Sequence, residues 1–219
     1  MVEIRILVEG GASANSIDVA TANNTESLRQ SLNSFFCRLL GRNDVSIILG
    51  YGYRNAVKRF LDDSSYNSLF VDSDAPKSDI TNWFEKLKIE NKDKPIVISV
   101  ERRNDVYFMI QEMEAWFLKQ PECFEKWASV EGYERRDATD IANHSLLRGK
   151  DIEDISKPSV AVKILMRHFF EKKLASEKRK LAVYGKLKTA PILLDCLDEK
   201  LLVRQDSELH RFAEQFVNA

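Results

Sequence analysis

Ile4-Arg5-Ile6-Leu7-Val8-Glu9-Gly10-Gly11 and Leu69-Phe70-Val71-Asp72-Ser73-Asp74 decide how this chain is read. Each is a short apolar run that stops abruptly at a carboxylate. Residues 2–8 alternate and are rich in β-branched residues, as a strand does, and both runs read as strands. Open α/β sheets place their ligands at the carboxyl ends of the strands, so Glu9, Asp72 and Asp74 are expected to meet at one edge. Clustered carboxylates repel one another unless a cation neutralises them.

Working outward, residues 2–8 read as the first strand and 10–24 as a glycine-led loop. A helix capped by Thr25 follows, with Leu28, Leu32, Phe35, Phe36, Leu39 and Leu40 at helical spacing and Gly41 as its stop. Strands are expected at 45–49, 67–71, 96–100 and 106–110, and helices at 54–61 and after Ser78. Residues 91–95 form a charged loop between them. Gln111-Glu112-Met113-Glu114-Ala115-Trp116-Phe117-Leu118 reads as a helix start. Alternating strand and helix through residue 120 predicts a mainly parallel α/β sheet with helices on both faces. Beyond Pro121 the pattern is helical, at 124–129, 159–174, 191–197 and 207–216. The chain is therefore divided into an α/β core (1–120) and a helical C-terminal extension (121–219) packed on it.

The 219 residues are 44% hydrophobic and 31% charged, the balance of an ordinary globular protein. No apolar run approaches the roughly 20 residues of a membrane span, and the start lacks a basic segment followed by a long apolar one. The expectation is a cytoplasmic protein with no membrane partner. Cys37, Cys123 and Cys196 are odd in number and widely spaced, and His144, His168 and His210 form no ligand motif. Net charge is −1, but Lys157, Lys163, Arg167, Lys172, Lys173, Lys178, Arg179, Lys180, Lys186 and Lys188 face only Glu171 and Glu177 in their stretch. Such a patch suits phosphate as well as it suits a solvated helix face.

Asp72 and Asp74, two residues apart at a strand end, can reach one ion. Hard oxygen donors without nearby His or Cys favour Mg2+ or Mn2+. Glu9 is placed as a further ligand or as a proton carrier. Gly10 and Gly11 clear the way for a phosphate backbone. Glu112 and Glu114 cannot share a helix face; Glu114 is the favoured site residue. Tyr184-Gly185-Lys186-Leu187-Lys188 puts an ammonium group beside a glycine, where it can approach a scissile phosphate, but it is no Walker A loop. Arg54, with Lys186 and Lys188, is a candidate nucleic-acid contact; Asn55, Arg102, Arg103 and Asn104 are secondary polar candidates.

Leu7-Val8-Glu9-Gly10 with Asp72-Ser73-Asp74 resembles the Toprim pattern of topoisomerases, primases and overcoming-lysogenization-defect nucleases. More specifically, residues 6–11, 69–76, 111–118 and 184–186 resemble a bacterial Toprim-like family, domain of unknown function 4276 (DUF4276). The run Gln111-x-Met113-Glu114-Ala115-Trp116-Phe117 is the most specific of these. The resemblance implies a Toprim-like sheet around one or two magnesium ions, with Glu9, Asp72 and Asp74 in the acidic positions. It also implies an ATPase partner in trans, in anti-phage or mobile-element loci. The family's glycine-lysine motif usually continues into a His-Ser-Phe-Glu-like element; Leu187-Lys188-Thr189-Ala190-Pro191 stands there instead.

The leading expectation is thus a metal-dependent nuclease in which Asp72 and Asp74 hold the ion, Glu9 is ligand or base, Glu114 completes the site and Lys186 steadies the phosphate. The alternatives are a non-catalytic subunit binding an ATPase or nucleic acid, and phosphoryl transfer on a small nucleotide. DNA versus RNA and homo-oligomerisation stay open at this level.

Overall fold

Strand β1 (Ile4–Val8) is an inner strand of a four-stranded, wholly parallel sheet in the order β2-β1-β3-β4, with β2 at Val45–Leu49, β3 at Ser68–Asp72 and β4 at Val106–Met109. The computed structural model describes residues 3–11, 18–90, 95–174 and 178–217. Leu7 pairs with Ile48 on one side and Leu69 on the other, while Asp72 pairs with Met109. This register brings the ends of β1 and β3 to the same edge. Period-two alternation divides the strands between two apolar layers. Leu7, Leu69, Val71, Val106 and Phe108 pack against helices α2 (Tyr53–Asp62) and α3 (Ile80–Glu90). Ile4, Ile6, Val8, Phe70, Tyr107 and Met109 face the larger core on the other side.

That larger core contains α1 (Val19–Leu40), the short α5 (Ala115–Lys119), and α6 (Glu122–Glu131). It also holds α7 (Pro158–Phe169), α8 (Lys186–Asp195), α9 (Glu199–Gln205) and α10 (Ser207–Val217). A four-residue helix, α4 (Val100–Arg103), precedes β4. Phe36 meets Phe70 edge-on at 5.0 Å and Phe212 at 5.4 Å, so the sheet, the first helix and the last helix share one aromatic cluster. Residues beyond 120 therefore bury their apolar faces in the same core as the sheet.

Several expectations are corrected. Helix α1 begins six residues before Thr25, capped by Asp18, whose carboxylate accepts from the Thr21 amide at 2.8 Å. Its first turns, Val19-Ala20-Thr21-Ala22-Asn23-Asn24, are largely exposed and carry no apolar period to read. Residues 96–99 form no strand; Ser99 caps α4 instead. Gln111–Glu114 is not yet helix: Gln111 sits in the left-handed region at φ 63 and α5 starts at Ala115. Ser78 lies within a 3-10 turn (Lys77–Asp79) that leads into α3 and does not cap it. The expected loop at 91–95 and the expected strand's Val2 lie largely outside the described residues.

The C-terminal part is not purely helical. The expected helix over 159–174 stops at Phe169, and Phe170 turns extended to open a strand. Strands β5 (Glu134–Arg135), β6 (Phe170–Lys173) and β7 (Arg179–Leu181) make a small antiparallel sheet in that order. Phe-Glu-Lys-Lys and Arg-Lys-Leu lack the β-branched alternation that announces a strand, and their pairing is set by tertiary context. Among the described residues no helix is long and apolar enough to cross a membrane.

Candidate functional site

Glu9 leaves the sheet directly after β1. Its amide donates to the Phe70 carbonyl at 2.7 Å, which fixes its backbone beside β3. The Glu9 carboxylate then accepts from the Asp72 amide at 3.1 Å. Asp72, at the last position of β3, uses its two oxygens differently. Oδ1 accepts from the Met113 amide at 2.9 Å, and Oδ2 faces the Lys186 ammonium at 3.3 Å. Lys186 also stands 3.6 Å from Glu114, which is fully buried and whose other oxygen accepts from the Tyr184 hydroxyl at 2.7 Å. Four separate segments thus bring Glu9, Asp72, Glu114 and Lys186 together.

The turn that presents this cluster is held by Ser73. Its hydroxyl accepts from the Gln111 amide at 2.7 Å and donates to the Ala75 carbonyl at 2.6 Å. The Gln111 carbonyl in turn accepts from the Asp74 amide at 3.0 Å. The positive φ of Gln111 and Asp74 is the cost of wrapping two strand ends around one buried serine. Gly10 and Gly11 take φ 139 and 84, and a side chain at Gly11 would strike the Tyr51 ring at 3.0 Å. The two glycines line a cleft of about 250 Å³ with Glu9, Asp72, Lys186 and Leu187. A second cleft, about 350 Å³, reaches Lys186 from the other side between Glu112, Glu114, Ser159, Lys163 and Tyr184.

The electrostatics are those of a site short of positive charge. Burial, then the Asp72 charge, pushes Glu9 up to about 7, against the Asp72 amide and Lys186; Asp74 adds to the rise. Burial raises Asp72 to about 6, with Lys186 opposing and Glu114 reinforcing the shift. Burial disfavours the Lys186 ammonium, yet Asp72 and Glu114 together hold it well above the ordinary lysine range. Burial and the Glu114 charge push the Tyr184 phenol up, so it stays a donor to Glu114.

Not every expected residue joins. Asp74 turns outward, 67% exposed, 3.6 Å from Lys157, which also lies 3.7 Å from Glu112. Glu112 itself accepts from the Ser159 amide at 2.8 Å and so ties the turn to α7. Arg54 is exposed and folds onto its neighbour Tyr53, donating to the phenol at 2.9 Å. Lys188 is exposed on α8, two residues from Lys186 and hence on another face. Asn55 donates to the Gly50 carbonyl at 2.6 Å, Arg102 lies over the Phe60 ring, and Arg103 lies over that of Phe84; these serve the α2 and α3 layer. Away from the cluster, His144 and His168 do pack together at 5.1 Å, with His168 bonded to Asp137.

Sequence reasoning gave Tyr184, Ser73, Lys157 and Lys163 no individual role. A phenol two residues before the lysine was the one available signal for Tyr184. Among the described residues no three His, Cys, Asp or Glu side chains are drawn together as a ready metal cage. Glu9 and Asp72 nonetheless fit a hard cation: both supply oxygen, burial first and neighbouring carboxylates second raise the proton affinity of both, and Asp74 is near enough to be felt by Glu9. Comparison with protein-family models, with curated proteins and with solved structures returns no match.

The charge deficit predicts a pH effect in chelator. The folded protein binds the Glu9 proton more tightly than the unfolded chain, so stability falls as pH rises from about 4.5 to about 7. Glu9→Gln keeps an oxygen for the Asp72 amide and removes this loss. It should gain on the order of 2–3 kcal/mol near pH 8 and almost nothing near pH 4. Thermal melts at both pH values check it; a variant less stable than wild type near pH 8 contradicts it.

Proposed function

We propose that this chain is a Toprim-like, Mg2+-dependent nuclease that hydrolyses phosphodiester bonds of DNA or RNA. We further place it as an effector of a bacterial anti-phage or mobile-element system working with an ATPase partner. The observation that carries the nuclease reading is the convergence of Glu9, Asp72, Glu114 and Lys186 at the carboxyl edge of a parallel sheet. Glu9 and Asp72 are the residues that would hold Mg2+ or Mn2+, and Asp74 joins them if its side chain leaves Lys157. The bound ion would supply charge stabilisation for the attacking and leaving oxygens.

The protein's own groups have separable tasks in this reading. Glu9, raised to about 7, suits either ligation or removal of a proton from the attacking water. Lys186 gives its ammonium to the non-bridging phosphate oxygens. Glu114 holds Lys186 in place, and Tyr184 fixes Glu114. Gly10 and Gly11 leave the approach open to a sugar-phosphate chain. The ATPase partner rests on the motif resemblance alone.

The test is incubation of purified protein with labelled DNA and RNA in Mg2+, Mn2+ or chelator. The reading expects cleavage that requires the metal and stops in chelator. A non-catalytic binding subunit is the second reading, favoured because Lys186 already neutralises Asp72 and Asp74 stands outside the cluster. It expects no cleavage under any condition, with co-purification of an ATPase that survives replacement of Glu9 and Asp74.

A further inference from the structure

Strands β6 and β7 place like charges directly opposite one another. Lys172 pairs with Lys180, and Lys173 with Arg179. Backbone bonds from Ala182 to the Phe170 carbonyl and from Leu174 to the Lys178 carbonyl make 173/179 a non-hydrogen-bonded pair, the kind with the closer side chains. Like charges so placed destabilise a sheet. One member of each pair has a local partner. Glu171 serves both Arg179, at 2.7 Å, and Arg136, at 3.3 Å, while Lys172 donates to the Glu131 carbonyl. No carboxylate among the described residues lies within ion-pair distance of Lys173, Lys178 or Lys180, and all three are exposed.

Strand β7 also leads into the site. From β7 the chain runs through buried Ala182 and Tyr184 to Lys186. Lys186 follows Lys180 by six positions, at most about 22 Å, which is less than one turn of a duplex. Exposed Lys163 on α7 lines the cleft that opens on Lys186.

We infer that the paired strands β6 and β7 are a nucleic-acid docking arm, in which phosphates of a duplex relieve the repulsion within the opposed pairs Lys172–Lys180 and Lys173–Arg179, with exposed Lys178 beside them. This rests on the nuclease reading and deepens it by naming where the backbone lies. It accounts for a strand pairing that opposes its own stability. Removing these charges should therefore move stability and binding in opposite directions.

The experiment measures anisotropy of labelled DNA and RNA duplexes in chelator, across a salt series, with thermal melts on the same proteins. For Lys173→Gln/Lys178→Gln/Lys180→Gln, affinity should fall by about tenfold to a hundredfold near physiological salt, and the salt slope by about 3. Lys180→Glu, which sets a carboxylate opposite Lys172, should raise Tm by about 1–3 °C while also weakening binding. A triple variant that binds like wild type, or wild type that binds neither duplex, overturns the arm. A preference for one duplex over the other, with the same loss in the triple variant, supports it. Metal-dependent cleavage by wild type is scored separately. Binding through β6 and β7 without cleavage sinks the nuclease reading alone, and cleavage with unaltered binding by the variant sinks the arm alone.

Discussion

Under the proposed nuclease reading, Asp72→Asn should lower metal-dependent cleavage by at least about 10²–10³-fold and leave the fold intact. The size follows from what Asp72 does at once: it contributes oxygen to the candidate cation site and positions Lys186 at 3.3 Å. Asparagine is nearly isosteric, and its carbonyl oxygen can still accept from the Met113 amide, so the turn between β4 and α5 survives. Removing a buried charge whose carboxyl is already pushed up to about 6 relieves desolvation. The variant should therefore melt no more than about 1 kcal/mol below wild type near pH 7, the scale of one net hydrogen bond. Single-turnover cleavage with circular dichroism on the same preparation reads both quantities. Undiminished cleavage by a pure, folded variant removes Asp72 from the chemistry.

Lys186→Met should show the largest loss of stability in the site. It leaves Asp72, 12% exposed, and fully buried Glu114 without their shared cation. Stranding buried charge in this way costs about 3 kcal/mol near neutral pH. The sign with pH is fixed by Asp72, which Lys186 holds lower than burial alone would set it. Without Lys186 its proton affinity rises further, so the folded variant takes up a proton more readily than its unfolded chain. Stability then declines as pH rises through the window above the ordinary carboxylate range. The deficit against wild type should be largest near pH 8 and shrink toward pH 5. Divalent cation should recover part of it, because the carboxylates accept the cation that replaces the ammonium. Urea melts across pH, with and without Mg2+, check this; a deficit independent of both assigns Lys186 to packing alone.

The sheet and its acidic edge are legible because short β-branched, mostly apolar runs alternate with helical stretches, and the carboxylates that end the first and third runs break them sharply. Glu9 and Asp72 are brought together as the strand order requires. Asp74 was legible as a neighbour but not in its direction, which depends on a left-handed backbone at residue 74 and on Lys157, far along the chain. The pairing of Glu114 with Tyr184 and Lys186 is likewise long-range, and no local period encodes it. The small antiparallel sheet was missed for a different reason. Its strands are made largely of lysine and arginine, residues that a propensity reading assigns to exposed helix. The early start of α1 went unread because alanine and asparagine on an exposed turn carry no hydrophobic signal.

The most direct measurement is a calorimetric titration of Mg2+, and in parallel Mn2+, into wild type and Asp72→Asn after exhaustive chelation. The account predicts binding to wild type that releases protons near pH 7, because Glu9 must ionise to take the ion, and predicts that binding is lost in the variant. No heat of binding in wild type, or equal binding in both proteins, would contradict the claim that this edge of the sheet is a cation site.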